Sequence, residues 1–574
     1  MTSLRVLAGL TAGIALGCTN RALPHANLAS EAAATAVYDL DVKVDPGIRS
    51  MVVTGTAVLP PTTAAQRSLG FTLLSPVHDL RIAVVEPRAA AGVLAPSVLG
   101  PCTWQCDYEA ALPSTIEAGQ PIKLTFSYRA GDKTGFVFRI GGSDASFANE
   151  SNTAWYPAFG PVLPRDGKRT VDGSADMVGA IRLDIPRELT AVATGAELEV
   201  VERGDRKHYT YRVARPLAGA FAIAAFTVLR SPGELPVALY TLGGVKEPAA
   251  MLAGIRAVVD QLTAIYGPFP FPSFSLVELS NDSVAGNGFG GAGCAGFMLS
   301  STSYLETGFN TAFFGHEIGH QWWGNIVTHA TETEGNFLLD EALAQYGSLY
   351  TVRRLEGDAA AERYRVSGYP GYVATQSGGT YLAMSLAGHD ARLGELPAEG
   401  PLGHELADEK GFLVFDMLRQ EIGADAFHRA LRDVVAIYAH RGVTWRAFRD
   451  TIERAAGRDL AWFWDQWYQR LGAPMLDVTW TQQSGAIVGT ITQTQPAYRM
   501  KLPLELRDAS GHTETKIIEL SQLATPFRFE HATPATAVDI DPHFETLHYT
   551  PALAAAARAR VDEVAATWRR MTQR

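Results

Sequence analysis

Hydrophobic periodicity changes twice along this chain, and the two changes limit what it can fold into. From residue 37 to about 235, apolar residues recur at every second position. "YDLDVKV" sets Tyr38, Leu40, Val42 and Val44 against Asp39, Asp41 and Lys43, and "IKLTFSY" sets Ile122, Leu124, Phe126 and Tyr128 against polar partners. Successive strand residues point to opposite faces, so this spacing predicts half-buried strands, sheet packed on sheet. Helical spacing takes over after "LPVALYTL". In "EPAAMLAGIRAVVDQLTAIYG", Pro248 falls in the first turn, Leu252, Ile255, Val259, Leu262 and Tyr266 form a stripe, and Gly267 is the stop. Helices are expected again over 410–472, with Thr444 as an N-cap and Gly423 and Gly457 as C-terminal stops. Alternation returns at "LPLELRD", where Leu502, Leu504 and Leu506 share a face. The expected plan is a multidomain α+β protein. It comprises an all-β region over 37–235, a mixed α/β region over 236–475, a small β-sandwich over 476–550 and an amphipathic helical tail over 551–574, packed on its own protein.

A chain of 574 residues with 47% hydrophobic and 19% charged residues has material for several cores. A formal net charge of −11, with no run of Lys and Arg, argues against a nucleic-acid partner, because phosphate binding needs a basic face. Near the N-terminus, Arg5 precedes the apolar run "VLAGLTAGIALG" and Cys18. This reads as a secretory leader over 1–18, ending in a box like that of bacterial lipoproteins, with Cys18 as the lipid anchor and 19–36 as a linker. Such a protein would sit in the bacterial cell envelope, attached to a membrane. In a Gram-negative host that would be the outer membrane. A simple leader cut near "PHANLAS" is the alternative. No later segment is expected to span a bilayer. Cys102 and Cys106 flank "TWQ" in an expected hairpin; a disulfide is favoured there over a pin for zinc, and Cys294 is expected to be buried and inert.

The chemistry concentrates in "FFGHEIGHQWWGN". On a helix, His316 and His320 lie four apart and point the same way, and Glu317 overhangs the same spot. Two imidazoles on one face can hold zinc, and the carboxylate beside them can take a proton from a water at the metal. The pattern arises by chance in roughly 2 chains in 100 of this composition, so it needs a third ligand. The acidic candidates downstream are Glu332, Glu334, Asp340 and Glu341. The first two fall in the polar stretch "THATETEGN". Glu341 opens "EALAQYGSLY", whose Ala342, Tyr346, Leu349 and Tyr350 give it a buried face, and a ligand belongs on the rigid element.

"HEIGHQWWGNIVT" followed by "LLDEALAQY" resembles the aminopeptidase N family of zinc metallopeptidases, the gluzincins. "WYP" at Trp155–Pro157, "YGPFPFP", "EKGF" at Glu409–Phe412 and "DLAWFWDQWYQRLGAP" resemble segments in the same order in that family. The resemblance implies a thermolysin-like α/β catalytic region between an N-terminal all-β sandwich and a small C-terminal β-sandwich. It also implies one zinc per chain held by His316, His320 and Glu341, with Glu317 as general base and a peptide as substrate. The implied activity is that of a metalloaminopeptidase.

Three departures from the family's pattern qualify this. Twenty residues separate His320 from Glu341, two more than usual. The usual spacing would reach Leu339, which cannot ligate, so the extra pair reads as an insertion in "THATETEGN", where added loop length costs little. The family's G-x-M-E-N loop, whose Glu grips the substrate amine, is replaced by "GGAGCAGF", with Gly293 where that Glu would stand. Glu278, Glu332 or Glu334 are the candidate replacements. The family's transition-state Tyr is replaced by Asp408, and His404, Tyr369 or Tyr381 are the candidate substitutes. An endopeptidase, or a non-catalytic zinc-stabilised binding protein, is therefore the rival reading.

Overall fold

The computed structural model describes residues 35–102, 104–131, 138–140, 146–148, 154–165, 167–281, 290–330, 335, 337–370, 377–396 and 401–572. Its first part is built as the alternation requires. Strand Val37–Asp45 pairs antiparallel with Ser50–Leu59 and parallel with Asp176–Pro186, inside an eight-stranded sheet. Tyr38, Leu40, Val42 and Val44 are at most 1% exposed while the residues between them face solvent. Two four-stranded sheets and a two-stranded one, Val162–Arg165 with Lys168–Val171, complete this region. Trp155 of "WYP" is fully buried, its ring set edge-on to Phe221 and its Nε1 donating to Gly219 O. An indole buries a large apolar area and still needs a partner for its N–H, and this site supplies both. Cys102 and Cys106 are joined as a disulfide.

A five-stranded mixed sheet begins the second region. Its order is Thr227–Ser231, Val237–Thr241, Phe274–Leu279, Phe297–Ser301 and Gly291–Cys294. The sheet thus takes in Thr227–Ser231, ahead of the 235/236 division expected from periodicity. Val237–Thr241, Phe274–Leu279 and Phe297–Ser301 run parallel, and Gly291–Cys294 is an antiparallel edge. Helix Pro248–Tyr266 crosses between the first two parallel strands. By length and apolar composition this helix would suffice to span a bilayer, contrary to the expectation that no segment after the leader would. Met251, Leu252, Ile255, Val258, Val259, Leu262, Ile265 and Tyr266 are buried within the protein, which makes it a core helix.

Helices Thr311–Gly319 and Leu343–Glu356 pack together beside this sheet. Two glycines set how closely. A Cβ on Gly315 would stand 2.8 Å from Ser348 Cα and one on Gly319 would stand 3.0 Å from Ala344 Cα, so the backbones approach as side chains would forbid. Beyond the helical lobe, two three-stranded sheets form the last β region, with Leu502, Leu504 and Leu506 all buried on one face of Met500–Asp508. Helix Pro551–Thr572 packs on Gly378–Leu386, where Arg560 Nη2 donates to Thr380 Oγ1 at 3.1 Å. Cys18 and the rest of the expected leader and linker lie outside the described residues, apart from Thr35 and Ala36.

Candidate metal centre

The motif helix begins at Asn310, whose side chain accepts from Phe313 N at 2.9 Å and satisfies one of the amides a helix start leaves open. From its last turn, His316 and His320 bring their Nε2 atoms to 3.1 Å of each other. Glu341 arrives from a π-helical turn, Leu338–Ala342, that feeds Leu343–Glu356. Leu338, Leu339 and Ala342 are buried and anchor this turn, so Leu339 is a core residue and the neighbouring Glu341 faces the histidines. Glu341 Oε2 stands 3.4 Å from His316 Nε2 and 3.6 Å from His320 Nε2, buried and with no hydrogen-bond partner among the described residues. Ligands about 2.0–2.1 Å from a tetrahedral ion lie roughly 3.3 Å apart, close to this triangle. Two imidazole nitrogens and a carboxylate oxygen, the atom types that ligate zinc, thus converge at ligand spacing in a buried place, where a shared cation would offset the cost of burying them. The trio therefore fits a metal ion.

His320 is oriented from behind. Its Nδ1 lies 2.9 Å from Asp340 Oδ1 and 3.1 Å from Trp323 O, which directs Nε2 at the metal position. Asp340 lies over Gly324, where φ is +96° and a Cβ would stand 2.4 Å from Asp340 Oδ1. The aspartate that sequence weighs as a rival ligand is thus a partner of the second histidine. Its signal was adjacency to Glu341. Glu332 and Glu334 lie outside the described residues.

Glu317 is buried beside the trio. Burial pushes its carboxyl up, and the charges of His316 and His320 only partly oppose this, which suits a group that must accept and return a proton. The glycine-rich edge strand passes directly over it. A Cβ on Gly291 would stand 2.7 Å from Glu317 Oε1, and one on Gly293 would stand 2.7 Å from His320 Cβ. Asn325 and Gln321, in the run after the second histidine, hold this strand in place. Asn325 Nδ2 donates to Gly293 O at 2.9 Å and His320 O at 2.8 Å; Gln321 Nε2 donates to Cys294 O, and its Oε1 accepts from Gly296 N, both at 2.9 Å.

Position 293 therefore has no room for a carboxylate without a shift of the motif helix. Glu278 cannot substitute. It is fully buried and accepts from Thr241 Oγ1, Leu242 N, Gly244 N and Thr302 Oγ1 at 2.6–3.1 Å. Of the three candidates for the missing Tyr, two are committed elsewhere: Tyr381 donates to Asp390 and Gly472 O, and Tyr369 to Glu356. His404 alone reaches the centre, its Nε2 3.4 Å from Glu341 Oε1 and its Nδ1 3.3 Å from Asp408 Oδ2.

Residues 300–467 match the Peptidase family M1 domain. The chain is 21% identical to aminopeptidase 2 of Candida albicans over 446 residues, 69% of this chain and 44% of that one. It is 21% identical to leukotriene A-4 hydrolase of Xenopus laevis over 511 residues, 83% of this chain and 80% of that one. It thus spans under half the length of the Candida relative. A crystal structure of Legionella pneumophila aminopeptidase A in complex with aspartic acid superposes with a TM-score of 0.67 at 14% identity, covering 90% of this chain and 59% of that one. These findings support the resemblance to the aminopeptidase N family and its multidomain architecture.

Proposed function

From a peptidase family M1 domain at residues 300–467, we propose that this chain is a zinc-dependent metallopeptidase that hydrolyses peptide bonds, with aminopeptidase action as its leading mode. The observation that carries the reading is the convergence of His316 Nε2, His320 Nε2 and Glu341 Oε2 within 3.1–3.6 Å, beside a buried carboxylate that none of them needs as a ligand. A purely structural zinc has no use for Glu317.

His316, His320 and Glu341 would hold the ion. Zinc, when bound, supplies positive charge that polarises the scissile carbonyl and eases deprotonation of the attacking water. Glu317 takes that proton and returns it to the leaving nitrogen; its raised affinity for protons favours the first of these transfers. Among the described residues Gly291–Cys294 pairs with one strand only, so the backbone groups of its other edge that Asn325 and Gln321 leave open can meet an extended peptide close to Glu317.

Discrimination for a free N-terminus is expected to be weaker than the family norm. A buried ammonium needs a carboxylate, position 293 cannot carry one as packed, and Glu278 is saturated. The test is digestion of matched free and N-acetylated peptide libraries by the full chain and by Glu317→Gln, read by mass spectrometry. Single-residue losses favouring free peptides, with measurable cleavage of blocked ones, are expected. Loss of residues from free peptides alone would overturn the weakened anchor, internal cuts in both libraries would make the protein an endopeptidase, and identical products from the two proteins would favour the binding-module alternative. Export and attachment through a lipid on Cys18 belong to the same proposal. Labelled fatty acid should enter the protein and not Cys18→Ser.

A further inference from the structure

We propose that His404, held by Asp408, is the catalytic donor to the carbonyl oxygen as that atom gains negative charge, in place of the absent tyrosine. This rests on the peptidase reading and adds a residue and a role to it.

His404 lies on Pro401–Leu406 and Asp408 on the π-helical turn Ala407–Gly411 that continues it, four positions on and so on the same face. Asp408 is fully buried and so does not itself touch a substrate carbonyl. It instead faces Nδ1 of His404 at 3.3 Å, which leaves Nε2 pointing toward the metal trio. Phe337, at the start of the turn that carries Glu341, sets its ring edge-on to His404 at 6.3 Å between centroids. The ring is thus held from its Nδ1 side and from one flank.

Reach decides the role. Glu341 turns Oε2 to His316 and His320 and Oε1 to His404 Nε2 at 3.4 Å, so His404 stands one carboxylate's width from the metal position. It is also open: 44% of its side chain meets solvent, against 7–14% for the three ligands. A substrate carbonyl at the metal therefore has this imidazole as a neighbour that it can touch. Nε2 faces a carboxylate oxygen, an arrangement that suits an N–H on that nitrogen, and Nε2–H is the donor an oxyanion needs. The proton stays on His404 throughout; only its hydrogen bond strengthens as charge develops.

The test compares the zinc-loaded full chain with His404→Ala and His404→Gln. The probe is a phosphinic peptide, whose charged tetrahedral oxygen stands in for the oxyanion, alongside the matching substrate peptide bound to Glu317→Gln with and without the His404 change. His404→Ala should lower kcat by about 10²–10³-fold with little change in KM, and weaken the phosphinic peptide by a similar factor. Substrate-peptide affinity and zinc content should stay near the parent's, and His404→Gln, which keeps a donor, should recover part of both losses. Loss of zinc from His404→Ala would make it a ligand instead. A second zinc equivalent that depends on His404, Glu341 and Asp408 would make the cluster a second metal site. A fall in kcat with unchanged phosphinic affinity, or no change in either, would also overturn the role. If the parent protein neither cleaves peptides nor binds the phosphinic peptide, the peptidase reading itself fails.

Discussion

Two clusters of buried charge lie in the helical lobe, and they are built in opposite ways. Asp416 is fully buried, and its oxygens accept from Arg353 Nη1 and Nη2 at 3.2 and 3.1 Å and from Arg419 Nε at 2.8 Å, with Arg365 Nη1 3.9 Å away. Burial alone would raise this carboxyl; Arg353 and Arg419, joined by Arg365, more than reverse that and hold it well below the usual carboxylate range. Every acceptor there meets donors within the fold. At the candidate metal centre no arginine or lysine answers the carboxylate: Glu341 Oε2 faces only the two imidazole Nε2 atoms, at 3.4 and 3.6 Å, among the described residues. The difference teaches how to tell scaffold from site. A cluster saturated by arginines fixes helices, whereas ligand atoms converging at metal-ligand spacing can share an ion that the chain does not encode.

That contrast can be broken or sharpened by mutation. The largest expected effect is on chemistry alone. Glu317→Gln should cut kcat/KM about 10³-fold or more while zinc content and the melting midpoint stay near the parent's, checked by peptide turnover, metal analysis and calorimetry. Next is an effect on stability alone. Asp416→Asn leaves three arginines without their carboxylate and should cost about 3–5 kcal/mol in chemical denaturation, with zinc affinity of the folded protein unchanged. Because folding lowers the proton affinity of Asp416, its contribution is complete above the ordinary aspartate range, about pH 4, and is lost as pH falls further toward the depressed value. Denaturation midpoints of parent and Asp416→Asn should therefore converge on acidification. The smallest effect is expected from Asp340→Asn. Weakening the partner of His320 Nδ1 should reduce zinc affinity about 10–100-fold with stability of the metal-free protein nearly unchanged.

The fold was legible where the chain states its period locally. Alternation at Tyr38, Leu40, Val42 and Val44, and at Leu502, Leu504 and Leu506, is reproduced residue by residue as burial. The pairing of His316 with His320 follows from helix geometry over four residues, so sequence could state it outright. Glu341 could be singled out because it opens a helix with an apolar face. Sequence could not show that it enters through a π-helical turn, or that Gly315 and Gly319 let the two helices close on each other. The same limit applied to the candidate acids and tyrosines. Glu278, Tyr369 and Tyr381 carry suitable chemistry, and only long-range partners such as Thr241, Glu356 and Asp390 reveal that it is already spent. For His404, the spacing to Asp408 four positions on is visible in the sequence, whereas the 3.3 Å approach of the two side chains is a property of the fold.

The central claim is that His316, His320 and Glu341 together make one metal site that is separate from the structural charge cluster. Calorimetric titration of zinc into metal-stripped full-length protein tests it most directly. One equivalent should bind the parent, Glu317→Gln and Asp416→Asn with comparable affinity, and Glu341→Ala should lose that binding while remaining folded by circular dichroism. Undiminished zinc binding by folded Glu341→Ala, or loss of zinc on Asp416→Asn with the fold intact, would contradict it.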